Sequence, residues 1–394
     1  MQSLNPSTIR AILGGRRRWA SGIVGIALLG PAMTQAQSPP AYTGAASVAV
    51  SYANAGANRA LDESPTINLG FVGHEDGAIT ARFVMDTGST GLIASPDRFR
   101  PAPDARNLGP GRQVYSSSGI VENGTWWSAT VNIFDAEGRL VAQAEVPVLQ
   151  VTSITCRPDA RNCRPTERPK GVAMLGVGFA RESADQQRGT PDYNAFLNLR
   201  KIAAADGRLQ PLPADWRNGY VVTRAGIQLG LTAANTAGAA FAKLVPNPDF
   251  SRPGLSEWLP ATMSLTVGGV SAGGNVLMDT GVGVAYLSPP PAAPVGALAP
   301  CAKNGRRQCL APGTAIALSF PGASDPAAHY AFAVGEAENP MRPRDVVVVH
   351  DAGVFLNTSR HVLAGMNFIF DEAEGYVGYQ WNGGAAERIG YVRP

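Results

Sequence analysis

The chain has 394 residues, with 33 Lys and Arg against 30 Asp and Glu, a formal net charge of +3 and a pI near 8.7. Its 45 Gly and 31 Pro, with only 16% charged but 45% hydrophobic residues, exclude a disordered chain and point to an all-β protein long enough for two cores. The basic excess carries no case for nucleic acid or a membrane surface as a partner: Arg10, Arg16, Arg17 and Arg18 fall in residues 1–37, and residues 38–394 hold 29 basic against 30 acidic side chains.

Residues 1–36 read as a signal peptide. A basic stretch ending at Arg18 precedes the apolar run Trp19–Met33, and Thr34-Gln35-Ala36 offers small residues for cleavage after Ala36. The apolar run is short and broken by Gly22, Gly25, Gly30 and Pro31, so it predicts export, secreted or periplasmic, and not a membrane span. No later stretch is apolar enough for an anchor. Residues 37–62 read as a flexible N-terminal segment.

Strand signals then dominate. Thr66–Val72 and Ala78–Met85 form a predicted hairpin around His74-Glu75-Asp76-Gly77. Further β-rich runs are Trp126–Phe134, Ala142–Val151, Tyr220–Leu231, Met263–Val270, Val276–Met278, Asp345–His350 and Tyr376–Trp381. Helical spacing is confined to short pieces such as Tyr193–Ala205, where Phe196, Leu197, Leu199 and Ile202 recur. Ala180–Asp192 and Ser288–Pro300 read as loops. Asp206–Arg217 is the expected crossing between an N-terminal lobe, 63–210, and a C-terminal lobe, 211–394. The cysteines form two close pairs, Cys156 with Cys163 and Cys301 with Cys309, whose spacing in an exported chain predicts two local disulfides and fits no zinc finger.

One segment occurs twice. Phe83-Val84-Met85-Asp86-Thr87-Gly88-Ser89 precedes Val276-Leu277-Met278-Asp279-Thr280-Gly281-Val282 by 193 residues, and Ser95 and Ser288 come at the same offset after each copy. Two half-chains, each ending a buried strand in one carboxylate, predict a pseudo-twofold protein with a site between its lobes. Amide hydrolysis needs a base for water and an acid for the departing nitrogen. Two adjoining carboxylates supply both, because their repulsion keeps one proton shared across the pair. Gly88 and Gly281 permit close backbone approach, and Thr87 and Thr280 can bind across the pseudo-twofold to fix the separation.

These residues resemble the pepsin-like aspartic peptidases. Phe83–Ser95 looks like the family's first active-site loop, Met174-Leu175-Gly176-Val177-Gly178 like the segment that closes the first psi-shaped loop, and Gly226–Gly238 like the strand and turn opening the second lobe. Val276–Ser288 resembles the second active-site loop and Asn367–Tyr379 the closing hairpin, all in the family's order. The resemblance implies a bilobal pepsin-like acid protease fold, all-β, with a cleft between lobes. It implies a monomeric aspartic endopeptidase of a divergent, bacterial type that acts on a peptide or protein substrate without metal or other cofactor. Asp86 and Asp279 would be the catalytic dyad, Ser89 would bond the outer oxygen of Asp86, and Tyr115, in Tyr115-Ser116-Ser117-Ser118-Gly119, would be the flap tyrosine.

Departures from the pattern leave a second reading, a catalytically weak or inactive binding protein of the cell envelope. Val282 stands where the family has Ser or Thr, so Asp279 is expected to lose an outer hydrogen bond. Ile93 replaces a Trp that anchors the flap. The second psi loop has two candidates, Leu363-Ala364-Gly365 and Asn357-Thr358-Ser359, the latter without its Gly. A competing serine-esterase motif, Gly269-Val270-Ser271-Ala272-Gly273, lacks the helix that a nucleophile elbow needs.

Overall fold

The computed structural model describes residues 41–392 apart from 45, 57–60, 74–76, 159, 161–162, 183–185, 297, 302–306, 351–352 and 384–389. The expected signal peptide lies outside the described residues. Among the described residues, strands form three sheets, two of ten strands and one of six. All four cysteines are paired, Cys156–Cys163 and Cys301–Cys309.

The two halves repeat one arrangement. In the first large sheet the strand Ile79–Asp86 runs antiparallel to Thr66–Phe71 on one side and parallel to Ala173–Val177 on the other, and the latter pairs antiparallel with Thr90–Ala94. In the second, Val270–Leu277 runs antiparallel to Thr262–Val267 and parallel to Phe355–Asn357, which pairs antiparallel with Ala285–Ser288. Alternation builds both: Ala81, Phe83 and Met85, and likewise Met263, Leu265 and Val267, turn inward along their strands. The six-stranded sheet joins Gly219–Val222 and Gly226–Leu229 to the hairpin Met366–Asp371 and Tyr376–Trp381. Aromatic rings from both halves rest on it. Phe179 stacks on Phe370 at 4.3 Å, Phe196 meets Tyr220 edge-on at 5.6 Å, and Phe320 stacks on Tyr379 at 4.5 Å.

Two local expectations are corrected. The helical spacing in Tyr193–Ala205 does not make a helix: Pro191–Tyr193 is a single 3-10 turn and Leu199–Ala203 is a strand. Asn194 and Asn198 explain it, because their side chains take up the local backbone groups (Asn198 Nδ2 to Asn194 O and to Pro191 O, each at 2.8 Å, Phe196 N to Asn194 Oδ1 at 2.9 Å) that a helix would use itself. The segment 37–62, expected to be flexible, contributes the strand Val48–Ser51 at the edge of the six-stranded sheet, register Val48 to Leu229. The supposed elbow at Ser271 is a hairpin strand, its hydroxyl exposed and bonded to Thr266 Oγ1 at 2.7 Å.

Candidate active site

Asp86 ends its strand and Asp279 lies just past the end of the other, so both carboxylates leave buried β-structure at the same point of each half. Thr87 and Thr280 clamp the two loops together. Thr87 N donates to Thr280 Oγ1 and Thr280 N to Thr87 Oγ1, each at 3.0 Å. Each hydroxyl in turn donates to the opposite strand, Thr87 to Met278 O at 2.7 Å and Thr280 to Met85 O at 2.8 Å. All four groups are buried, where an unmade hydrogen bond costs roughly 1–3 kcal/mol, so the loops are held as a unit.

The clamp sets the carboxylates against each other. A Cβ placed on Gly281 would lie 2.5 Å from Asp86 Oδ1 and 3.1 Å from Asp279 Oδ1, and one on Gly88 would lie 2.4 Å from Asp279 Oδ2. The inner oxygens accept from the loop backbone, Gly88 N to Asp86 Oδ1 at 2.7 Å and Gly281 N to Asp279 Oδ1 at 2.8 Å. Ser89 Oγ donates to Asp86 Oδ2 at 2.6 Å, as its position in the motif implies.

The expected loss of an outer bond at Asp279 is corrected. Asn357 Nδ2 donates to Asp279 Oδ2 at 2.6 Å, doing for this carboxylate what Ser89 does for the other. The strand register explains its source. Val84 pairs with Met174 and Leu277 with Asn357, so Asn357-Thr358-Ser359 stands where the first half has Met174-Leu175-Gly176. Ser359 therefore occupies the glycine's place, with φ 62 and ψ 179, a backbone region that glycine adopts without strain. The other candidate, Leu363-Ala364-Gly365, closes the short 3-10 turn Arg360–Ala364 instead.

Three further residues hold the site that sequence reasoning did not mark. Gln186 braces the first loop, accepting from Thr90 N at 3.0 Å and donating to Gly88 O at 3.2 Å. Arg360 braces the second, its Nη1 reaching Thr280 O at 3.3 Å while Nε donates to Leu61 O at 2.7 Å. Arg181 borders the cavity beside both carboxylates, which favour its charge while burial opposes it. Burial and the neighbouring Asp86 carboxylate raise the Asp279 carboxyl well above its ordinary range, against the opposing pull of Asn357 and Arg181.

A cavity of about 550 Å³ opens over the pair, lined by Asp86, Gly88, Asp279, Gly281 and Asn357 below and by Tyr115 to Ile120 above. The upper wall is the turn between Asn107–Tyr115 and Ile120–Phe134, closed by Gly119 N to Tyr115 O at 2.8 Å. Tyr115 thus lines the cavity above the carboxylates from the end of its strand. Trp126 packs against Ile93 and beneath Gly111 of the same hairpin, where a Cβ would come within 2.0 Å of the indole nitrogen.

The chain is similar to the crystal structure of an aspartic proteinase from Irpex lacteus, with a TM-score of 0.51 and 15% identity over 87% of this chain and 99% of that one. The fold is the pepsin-like acid protease fold. No protein-family model matches the sequence, and no curated protein matches it.

Proposed function

We propose that the protein is an exported aspartic endopeptidase whose catalytic pair is Asp86 and Asp279. What carries the reading is the paired clamp of Thr87 and Thr280, which holds two buried carboxylates together under an overhanging hairpin. A structural pair has no use for an open cavity above it, and the likeness to an aspartic proteinase agrees with the reading.

Chemically, Asp279 holds the shared proton, because burial and the adjacent charge both favour its neutral form. A water between the two carboxyls gives its proton to the ionised partner as it attacks the peptide carbonyl, which the protonated carboxyl polarises. The proton then passes to the departing amine. The titration belongs to the pair. An extended substrate would lie along the cavity, its backbone pairing with the flap hairpin by strand addition. Thr87, Gly88, Ser89, Thr280, Gly281 and Asn357 position the pair. The two disulfides and the fold fit a secreted or periplasmic protein. The lobes 63–210 and 211–394 would each supply one carboxylate.

The test is cleavage of a peptide library by the purified protein between about pH 3 and 7. Cleavage is expected, and Asp86→Asn or Asp279→Asn should lower it by at least ~10²–10⁴-fold, the range of general acid–base catalysis. No cleavage by the wild-type protein, or full cleavage by either variant, sinks the mechanism. Asn357→Ala is a finer check. Removing a donor to the carboxylate raises the pair's proton affinity, so the acid limb of the kcat profile should move to higher pH. An unmoved limb would mean that Asn357 is only a packing residue.

A further inference from the structure

The underside of the flap hairpin carries polar groups that the peptidase chemistry leaves unused. The register pairs Gln113 with Glu122 and Tyr115 with Ile120, so these four side chains share the face turned toward the carboxylates. Glu122 is 6% exposed and its Oε2 has no hydrogen-bond partner among the described residues. Gln113 is wholly buried with neither end of its amide bonded, and the buried Tyr115 hydroxyl stands beside Glu122 without a well-formed bond. Glu122 makes no ion pair among the described residues, and burial pushes its carboxyl up to about 7. Tyr115, Ile120 and Glu122 all line the cavity that holds Asp86 and Asp279, and Tyr115 lies close enough to feel the Asp86 charge.

Groups of this kind are costly. An unpartnered buried polar atom costs roughly 1–3 kcal/mol, and a carboxylate more. Three such side chains on one face of one hairpin, beside the reacting centre, offer acceptors that the cavity's own cations leave unbonded: Arg181 faces the Asp86 and Asp279 charges, and Arg307 donates to Ser117 O and Tyr286 Oη. A lysine ammonium has three donors and no acceptor, and an arginine fork has five. Either would meet Glu122 Oε2 and the Tyr115 hydroxyl, with the Gln113 amide turning its oxygen inward behind them.

We propose that the cleft selects peptides carrying a basic side chain, lysine or arginine, beside the scissile bond, the cation resting on Glu122 beneath the flap turn. The proposal rests on the peptidase reading for its scissile bond. The subsite itself is a binding property and can be measured without turnover.

The experiment compares peptides identical except for lysine, arginine, norleucine or glutamate at one position. Each is made with a scissile amide for kcat/KM at about pH 6 and with a neutral hydroxyethylene isostere for affinity at about pH 8, above the value to which burial raises Glu122. Wild-type protein is expected to bind and cleave the lysine or arginine peptide at least ~10-fold better than the norleucine peptide, with glutamate poorest. In E122Q, isosteric and checked for folding by its melting curve, that ratio should collapse to about 1. A wild-type preference for norleucine, or a lysine preference that survives E122Q, overturns the proposal. If the isosteres show the basic preference and its loss in E122Q while no amide peptide is cleaved, the subsite stands and the peptidase reading falls.

Discussion

Gly88→Ala and Gly281→Ala are each expected to abolish cleavage and to lower the melting temperature, although alanine is the smallest change available. The Cβ at position 88 would sit 2.4 Å from both Cγ and Oδ2 of Asp279, and that at 281 would sit 2.5 Å from Asp86 Oδ1 and 2.7 Å from its Cγ. Neither aspartate can swing aside. Asp86 is held by Gly88 N and Ser89 Oγ, and Asp279 by Gly281 N and Asn357 Nδ2, all at 2.6–2.8 Å. The added methyl must therefore open the loop clamp or push the carboxylates apart. Overpacking of this kind costs about 1–3 kcal/mol, a fall in Tm of roughly 2–10 °C for a chain of this size. Displacing reacting groups by about 1 Å costs ~10²-fold in rate, so kcat/KM should fall by at least that much. Gly273→Ala is the matched control. It lies in the strand of the same hairpin with nothing within 4 Å of its Cβ, and it should change neither quantity appreciably. Activity within threefold of wild type in either dyad-loop variant would mean that the carboxylates are not confined as described.

The repeat made the central geometry readable in the sequence. Met-Asp-Thr-Gly occurring twice named both carboxylates, both clamp residues and both glycines, because each residue's task stems from its type: acid, short hydroxyl donor and acceptor, no side chain. Those tasks are local to one loop. Asn357 was not readable in the same way. It reaches Asp279 from a strand 78 residues downstream, and its role appears only once the parallel register to Leu277 is known. A signal was present even so. Asn357-Thr358-Ser359 lacks the family's apolar pair, and Val282 lacks the usual hydroxyl. One departure compensates for the other, since a donor lost from the loop returns from the neighbouring strand. Gln186, Arg181 and Arg360 likewise act across tertiary contacts that no spacing rule encodes.

Where sequence reading misplaced an element, a competing local interaction or a distant partner decided the outcome. Apolar residues at helical spacing in Tyr193–Ala205 are buried, but Ala195, Phe196 and Leu197 are consecutive, which a one-faced helix would not bury together. Asparagine side chains capture the turn, and the chain leaves as a strand along Leu140–Cys156. Val48–Ser51 has a short alternating pattern in a segment otherwise rich in Ala, Gly and Asn, and it becomes a strand because the free edge of Gly226–Leu229 accepts it. At Ile93 the neighbouring ring comes from Ile120–Phe134: Trp126 shares a buried cluster with Ile93 and meets Tyr193 edge-on at 4.8 Å.

Thermal stability is expected to fall as pH rises from about 5 to 8, the reverse of a protein held by ordinary surface carboxylates. Burial raises Glu257 to about 8 and Glu122 and Glu372 to about 7, and it raises Asp279 as well. A carboxyl whose folded value lies above its unfolded one binds its proton more tightly in the native chain. Stability therefore has a negative slope with pH throughout the interval between the two values. The contribution of these groups is intact below about pH 4, near the ordinary carboxyl value, and is lost progressively up to pH 7 or 8. His361 works the other way. Burial and Arg360 lower it to about 4, so its contribution is complete above its ordinary value and lost as pH falls through the interval below it. Four carboxyls outweigh one imidazole above pH 5. Each tenfold difference in proton affinity is worth ~1.4 kcal/mol, so even strongly screened values predict a loss of about 3 kcal/mol, or roughly 6–12 °C in Tm. Melting should be followed in the Asp86→Asn variant to prevent self-digestion; without the Asp86 charge, Asp279 there keeps only the part of its rise that burial supplies. Glu257→Gln, which keeps an acceptor for Ala180 N (2.6 Å in the wild type), should flatten part of the slope while leaving Tm at pH 5 nearly unchanged. A Tm that is level or rises between pH 5 and 8 would show that these carboxyls are charged in the folded protein. The shared proton assigned to Asp279 would then lose its physical basis, since it depends on the same burial.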